Sequence, residues 1–310
     1  MEAQGGMVPF VAPTLPPTGE TSSSMEAPKL GGECFPKMLG EMSLKVFIGG
    51  LPCGVPESIL QKLFASFGPA VVETPGADAM GNTSNKGYGF VIYEREDSVH
   101  RLLAVCGRDA FRFYLHVSSP TVQPLDGVVL HVRPWRLTDS DYVLDKRLLH
   151  KPVSHRLTVF VGGIPRPFTA ECLARRFDEL FHNVCYAGID IDPDLRYPKG
   201  AGRVTFLREE SYLAALRQRY VQVVCDGSSG QRSFQTEVKP YVLDDQLCDE
   251  CEQEVVAPHF CADLDCLQYY CAPCWDRFHL DVPSRSHHVA LKKERQRKNF
   301  AQHSESHVHH

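Results

Sequence analysis

The sequence predicts an α+β chain in which two tandem βαββαβ domains are followed by a small cysteine-rich module. The segment KVFIGGLP at 45–52 recurs as TVFVGGIP at 158–165, and KGYGFVIY at 86–93 recurs as KGAGRVTF at 199–206. Both recurrences share an offset of 113 residues, from 45 to 158 and from 86 to 199. A common offset in two separate motifs indicates a duplicated unit. Six of the 12 cysteines lie between 248 and 274, which sets the end of the chain apart.

Each copy shows the same order of predicted elements. In the first copy, VFIGG reads as an apolar strand and PESILQKLFASFG as a helix with apolar residues at helical spacing. A short VVE strand, the KGYGFVIY strand, a helix through DSVHRLLAVC and a final VVLHVRP strand follow. The second copy repeats the order, with helices in TAECLARRFDELF and REESYLAALRQRY. Such units pack as four-stranded antiparallel sheets with two helices on one face and the other face open.

Composition along the chain sets the predicted boundaries. The first residues are rich in Pro, Gly, Ser and Thr and the last are polar, which predicts disorder at both ends. The linker between the copies holds one Pro and no Gly, which favours an ordered hinge. The predicted segments are a disordered 1–43, a first domain 44–136, a linker 137–156, a second domain 157–243, a cysteine-rich module 244–292 and a disordered tail 293–310.

The first domain places three rings on the open face of its sheet. Because alternate strand residues share a face, Phe47, Tyr88 and Phe90 lie together while their neighbours fill the core. KGYGFVIY fits the octamer of the RNA-recognition motif at every defined position, and Phe47 falls on the aromatic position of its hexamer. This copy therefore resembles an RNA-recognition motif, whose rings stack unpaired bases. Lys86 is predicted to contact a phosphate. The alternative for the three rings is that they pack against a helix or a partner protein.

The second domain departs from this pattern. It keeps Phe160 and Lys199, but Ala201 and Arg203 replace the two octamer rings. Alanine cannot stack, whereas the guanidinium of Arg203 can stack on a base or bind a phosphate. We expect a weaker RNA contact here that adds affinity by tethering. A protein-binding or purely structural second domain is the alternative.

Further candidate contacts follow the last strand of each copy. Trp135 and Tyr241 occupy equivalent places in VRPW and VKPY, and Arg133 precedes the first of them. Each ring either stacks a base or anchors the following linker on the sheet, and the sequence leaves both open. We also expect Arg133 to contact RNA.

Charge along the chain bears on the strength of phosphate binding. The net charge is −5, but residues 44–243 hold 24 basic and 21 acidic side chains, a balance of +3. Residues 244–290 hold 2 basic and 10 acidic side chains, a balance of −8. A mildly basic tandem predicts RNA binding that depends on stacking more than on phosphate neutralisation.

The cysteine-rich module has the spacing of structural zinc sites. CxxC pairs with further cysteine and histidine ligands are typical of closed tetrahedral zinc. Eight ligands within about 40 residues indicate two Zn²⁺ ions in a cross-brace, and the module is expected not to fold without them. His288 is the alternative to His287, and His259 is expected not to be a ligand. The predicted sets are Cys248, Cys251, Cys271 and Cys274 for one ion and Cys261, Cys266, His279 and His287 for the other.

Other function classes find less support. No run of about 18 apolar residues and no signal-peptide pattern is present, which predicts a soluble intracellular protein without a membrane partner. The ligand order Cys261-x4-Cys266 with a terminal His pair differs from the ligand order of RING ubiquitin ligases. The sequence also lacks a carboxylate cluster of the kind that polymerase or nuclease chemistry needs. We expect a non-enzymatic protein without a small-molecule substrate. A protein-interaction adaptor with incidental RNA contact is the alternative function.

Several longer stretches carry a closer resemblance. They are YLHVSSPT at 114–121, RPWRLTDSDYV at 133–143, CYAGIDIDP at 185–193, YPKGAGRVTF at 197–206 and VKPYVLDDQLCDEC at 238–251. With the domain order, they resemble the cytoplasmic polyadenylation element-binding family, whose zinc module resembles ZZ-type domains. The resemblance implies binding to U-rich UUUUAU-type elements in the 3′ untranslated region of messenger RNA and control of cytoplasmic polyadenylation and translation. It further implies polyadenylation and translational-repression proteins as partners, and a cytoplasmic location in ribonucleoprotein granules with shuttling through the nucleus.

Overall fold

The computed structural model describes residues 40–75, 86–108, 113–118, 120–144, 154–227, 230–251 and 255–291. Two compact units divide the chain, the first ending at Val238 and the second beginning at Lys239. The predicted disordered tail lies outside the described residues, as does residue range 1–39 of the predicted N-terminal segment. None of the helices in the described ranges is long and apolar enough to cross a membrane.

The first domain has the predicted βαββαβ order with two additional strands. Its elements are β1 (Lys45–Gly49), α1 (Glu57–Ala65), β2 (Ala70–Glu73), β3 (Tyr88–Tyr93), α2 (Glu96–Val105), β4 (Gly107–Arg108), β5 (Phe113–His116) and β6 (Val129–Arg133). The sheet order is β2-β3-β1-β6-β5-β4. The predicted sheet of four strands is therefore a sheet of six, because β5 and β4 continue it beyond β6.

The second domain is extended at both edges of its sheet. Its elements are β7 (Asp141–Val143), β8 (Thr158–Gly162), α3 (Ala170–Phe181), β9 (Val184–Ile191), β10 (Pro198–Phe206), α4 (Glu209–Gln218), β11 (Tyr220–Gly227) and β12 (Gly230–Pro240). The order is β11-β12-β8-β10-β9-β7. Strand β7 comes from the predicted linker and pairs with β9, so this part of the linker belongs to the sheet.

Apolar side chains lock the central strands of the first domain in one register. Val46, Ile48 and Val91 point to the helix side and are fully or almost fully buried. They pack in one core with Leu60 and Phe64, the buried positions of α1. Complete burial of such a side chain contributes about 1.5–3 kcal/mol, so a strand that slipped by one residue would lose several of these contributions.

The described N-terminal residues are held between the two domains. Met42 is buried, and its backbone N–H donates to Glu96 Oε1 at 2.7 Å. Ser43 Oγ donates to the carbonyl of Leu195 in the second domain at 2.7 Å. Arg196 Nη2 lies 3.3 Å from Glu96 Oε2. The predicted disorder through residue 43 is therefore wrong at its end, since these tertiary partners order Met42 and Ser43.

The second unit contains a small sheet and short helices. Its elements are β13 (His259–Cys261), β14 (Tyr269–Tyr270), α5 (Ala272–Trp275), a π-helical turn (Asp276–Leu280) and β15 (Ala290–Leu291). The sheet order is β14-β13-β15. Its core consists largely of cysteines together with Tyr270 and Trp275, so little apolar surface is available to stabilise it without additional bonds.

Close packing of β9 on β10 generates a stability prediction. A Cβ added at Gly202 would meet the carbonyl oxygen of Gly188 and lie 3.0 Å from Ile164 Cδ1. We expect Gly202→Ala to lower the free energy of unfolding by about 1–3 kcal/mol, because the strands must separate. Denaturant unfolding measures this. Gly107→Ala is the matched control and should leave stability unchanged, since the nearest atom to its added Cβ is Tyr114 O at 3.7 Å. Equal stability of Gly202→Ala and wild type would contradict the close packing of β9 on β10.

Candidate nucleic-acid interface and metal centre

Pairing of β1 with β3 brings three aromatic rings together on the open face, and we call them the aromatic platform (Phe47, Tyr88 and Phe90). Phe47 pairs with Phe90, and Gly49 pairs with Tyr88. The ring centroids of Phe47 and Tyr88 are 5.7 Å apart with an interplanar angle of 24°. Both rings are partly exposed. Two nearly parallel rings on a rigid sheet provide the geometry needed to stack successive bases.

Phe90 is more enclosed than the other two rings. Its exposed fraction is 9%, and Lys45 Nζ lies 4.6 Å from its ring centroid. Two groups of the second domain cover it further: the Arg166 guanidinium at 5.4 Å and the Tyr197 ring, edge-on, at 5.9 Å. The sequence prediction treated the three rings as equivalent. It missed this cover because Arg166 and Tyr197 reach Phe90 only through tertiary packing.

Cations surround the platform. Arg133 on β6 pairs with Phe47, and its guanidinium lies 5.6 Å from that ring. Lys86 is exposed and lies two residues before the start of β3. Lys45 is partly neutralised by Glu73, whose carboxylate lies 2.7 Å from Nζ. Arg133 therefore adds a positive charge beside Phe47, and Lys86 adds one next to the start of the strand that carries Tyr88.

The two rings that follow the last strands have different surroundings. Trp135 is 5% exposed, and its indole N–H donates to Ser140 Oγ at 3.2 Å. The backbone carbonyl of Ser140 accepts from the backbone N–H of Ile189 at 2.7 Å. This corrects the base-stacking alternative for Trp135: the ring is buried and fastens the start of the linker. Tyr241 is half-buried and lies in the second compact unit.

Arg203 in the second domain is held by acidic groups. It pairs with Phe160 across β10 and β8, and both are half-buried, whereas Lys199 is exposed. Arg203 Nη1 lies 3.0 Å from Asp190 Oδ1, and Nη2 donates to Tyr186 Oη at 2.8 Å.

The linker supplies the second acid of this cluster. Asp141, on β7, accepts a hydrogen bond from the hydroxyl of Tyr186 and lies 3.6 Å from Arg203 Nη2. Burial raises the pKa of Tyr186, so the phenol stays a neutral donor. Two carboxylates oppose phosphate binding by Arg203. Sequence reasoning missed this, because Asp141 reaches the sheet only through the pairing of β7.

The first candidate metal group brings together the four cysteines that the CxxC spacing assigns to one ion. Cys248, Cys251, Cys271 and Cys274 have their sulfur atoms within 4.8 Å of one another. Cys251 Sγ lies 3.3 Å from Cys271 Sγ and 3.5 Å from Cys274 Sγ. Tetrahedral zinc with Zn–S bonds of about 2.3 Å requires sulfur separations of about 3.8 Å. This all-sulfur set therefore fits structural zinc.

The second group contains Cys261, Cys266, His279 and His288, again within 4.8 Å. Cys261 Sγ lies 3.4 Å from His288 Nδ1, and Cys266 Sγ lies 3.6 Å from His279 Nε2. The hydrogen bond between the Cys261 and Cys266 thiols lowers the pKa of Cys266 and raises the pKa of Cys261, so the two thiols titrate as a coupled pair. A mixed set of two sulfurs and two imidazoles also fits zinc.

The fourth ligand of this group corrects the sequence prediction. His288 takes the position expected for His287, and the His288 side chain is 4% exposed while His287 is exposed. Pairing of Ala290 with Cys261 brings β15 alongside the site, and the His288 backbone N–H donates to Arg285 at 2.9 Å. These backbone contacts turn His288 inward. His259 is in neither of these ligand groups.

The fold and these sites define a class: two tandem domains of RNA-recognition topology followed by a zinc-binding cysteine–histidine module. Comparison with family models matches an RNA recognition motif to residues 43–131. The model of the cytoplasmic polyadenylation element-binding protein ZZ domain matches residues 235–294. The chain belongs to the cytoplasmic polyadenylation element-binding protein family.

Individual relatives agree with this assignment. Translational regulator orb2 of Drosophila melanogaster is 48% identical over 81% of this chain and 35% of its own length. Cytoplasmic polyadenylation element-binding protein 1 of Caenorhabditis briggsae is 42% identical over 79% of this chain and 44% of its own length. The chain thus spans less than half the length of these relatives. A solved Sxl-lethal protein/RNA complex is 17% identical, covering 64% of this chain and 99% of that one, with a TM-score of 0.22 that supports no inference.

The second metal group generates a prediction about the two adjacent histidines. We expect His288→Ala to lower the zinc content of the purified protein, because it removes an inward-facing ligand. His287→Ala is the matched control and should keep the wild-type zinc content. Elemental analysis after dialysis measures both. Loss of zinc in His287→Ala with retention in His288→Ala would contradict the geometry.

Proposed function

We propose that this protein is a non-enzymatic RNA-binding regulator of translation. It recognises U-rich elements of the UUUUAU type in 3′ untranslated regions and controls cytoplasmic polyadenylation. The observation that carries the proposal is the pair of partly exposed rings, Phe47 and Tyr88, held 5.7 Å apart on an open sheet face. Family membership and a relative named as a translational regulator support it.

Stacking supplies most of the affinity in this proposal. Each base on a ring contributes about 1–3 kcal/mol, and every base has a stacking face. The balance of +3 over residues 44–243 provides few phosphate contacts, and Lys86 and Arg133 are the candidates beside the platform. Selectivity for uracil requires hydrogen bonds to base edges in addition, because stacking alone tolerates any base.

The remaining candidate residues have supporting roles. Phe90 holds Tyr197 and Arg166 of the second domain, so it orients that domain while the other two rings stack bases. Phe160 offers one ring on the second sheet, and Lys199 one exposed cation. Because Asp190 neutralises Arg203, the second domain makes the weaker contact. Tethering to the first domain turns that weak contact into useful affinity.

The cysteine-rich module completes the proposal. Two structural zinc ions hold it folded, since its small core contains mainly the ligands themselves. Its balance of −8 over residues 244–290 disfavours RNA and favours a protein partner, which we propose to belong to the polyadenylation and translational-repression machinery. Cytoplasmic ribonucleoprotein granules, with passage through the nucleus, are the proposed location. The competing function is a protein-interaction adaptor. For an adaptor, protein partners remain bound in a pull-down after nuclease treatment, and substitution of the rings does not change RNA binding.

The platform generates a binding prediction. We expect Phe47→Ala and Tyr88→Ala each to weaken binding of a fluorescent UUUUAU-containing RNA by about 5- to 150-fold, the loss of one stacked base. Fluorescence anisotropy against a C-rich RNA of equal length measures affinity and selectivity. Phe234→Ala is the control, since it removes a 37%-exposed ring from the helix-side face of the second sheet. Equal affinity of all variants for both RNAs would exclude the proposal.

Lys86 generates a separate prediction about salt. If it contacts one phosphate, Lys86→Ala reduces the slope of log affinity against log salt by about 0.7. The affinity for U-rich and C-rich RNA should fall by the same factor, because a phosphate contact carries no sequence information. Titrations over a range of salt concentrations measure the slope. Lys62→Ala on α1 is the control, because this exposed lysine lies on the helix side. If the slope is unchanged in both variants, Lys86 does not contact a phosphate.

A further inference from the structure

The added strands of the first domain continue the face that carries the aromatic platform. Gly49 on β1 pairs with Tyr88 on one side and with His131 of β6 on the other. His131 in turn pairs with Tyr114 of β5. Directly paired residues of antiparallel strands project to the same face. Tyr114 and His131 therefore lie on the same face as Tyr88 and Phe47.

Tyr114 and His131 form a second ring cluster. Their ring centroids are 5.3 Å apart with an interplanar angle of 74°, and both residues are partly exposed. Gly50 makes room for the imidazole, since a Cβ there would lie 3.4 Å from His131 Cδ2 and its φ is +75°. Gly107, paired with Tyr114 on the outer strand, adds no side chain to the face. One edge-to-face ring pair thus stands beside the platform.

Spacing and charge suit a continuing strand of RNA. Neighbouring strands lie about 4.8 Å apart, so β6 is about 10 Å and β5 about 14 Å from β3. An extended RNA crossing the sheet reaches Tyr114 without reversing direction. Strands β5 and β6 contain no acidic side chain, and their face positions include His116 and Arg133 as well as the ring pair. Nothing in this part of the described face repels a phosphate.

We propose that Tyr114 and His131 form an additional base-binding subsite. It takes one further nucleotide of the same single-stranded RNA that stacks on Phe47 and Tyr88. The subsite rests on the proposed RNA-binding function and extends it. Continuity with the platform and the absence of carboxylates on β5 and β6 favour RNA over a protein ligand.

Removal of single bases from the RNA tests the subsite. The probe is a fluorescent octamer that contains UUUUAU, together with a series in which one position at a time is abasic. Wild-type protein should lose affinity at each stacked position. In Tyr114→Ala, the intact octamer should bind about 5- to 150-fold more weakly, and one abasic position should no longer matter. Tyr114→Phe keeps the ring and should behave as wild type.

Matched variants separate the outcomes. Lys62→Ala changes an exposed residue on the helix side of the same domain and should leave every affinity unchanged. Sensitivity to the remaining abasic positions shows that Tyr114→Ala is folded with an intact platform. The subsite is overturned if Tyr114→Ala has the same abasic profile as wild type, or if it loses affinity uniformly at all positions. It is also overturned if Tyr114→Ala loses binding of a protein partner while its affinity for RNA is unchanged. Failure of wild-type protein to bind the octamer would instead reject the proposed function.

Discussion

The antiparallel pairing of β1 with β3 is the constraint on which the interface depends. Side chains alternate along a strand, so one register sends Val46, Ile48 and Val91 into the core and leaves Phe47 and Tyr88 on the other face. A slip of one residue would exchange the two sets. The free energy of burying the aliphatic side chains therefore also fixes the position of the rings. Stability and ligand geometry come from the same pairing.

A second constraint is the contact between the two domains within the first compact unit. Arg196 interacts with Glu96, and Ser43 donates to Leu195, while Tyr197 packs edge-on against Phe90. Phe90 thus faces the second domain as well as the sheet. We infer a division of roles in which two rings stack bases and the third orients the neighbouring domain. Pre-orientation lowers the entropy lost when a single strand engages both domains.

Local patterns in the sequence predicted the features that depend on local chemistry. Apolar periodicity within each repeated segment predicted the βαββαβ order. The CxxC spacing proposed two candidate metal groups that differ from those in the structure by one histidine. Strand β7 escaped prediction because three linker residues become a strand only by pairing with β9. The choice of His288 over His287 depends on the pairing of β15, which two adjacent histidines do not reveal.

The same limit applies to the chemistry of individual candidates. Trp135 follows the last strand as a base-stacking ring would, yet its indole N–H is satisfied by Ser140 within the fold. Arg203 replaces an aromatic residue in the octamer, and only the folded sheet shows that Asp190 and Asp141 hold it. Residue type predicts what a side chain is able to bind. Tertiary partners decide whether that capacity is already used.

Intermolecular nuclear Overhauser effects show directly whether bases stack on the two rings. With protein bound to a U-rich RNA, we expect contacts from uracil H5 and H6 to the ring protons of Phe47 and Tyr88. Chemical-shift changes should be largest on β1 and β3. Contacts confined to the helix side of the first domain or to the cysteine-rich module, with both rings unperturbed, would contradict it.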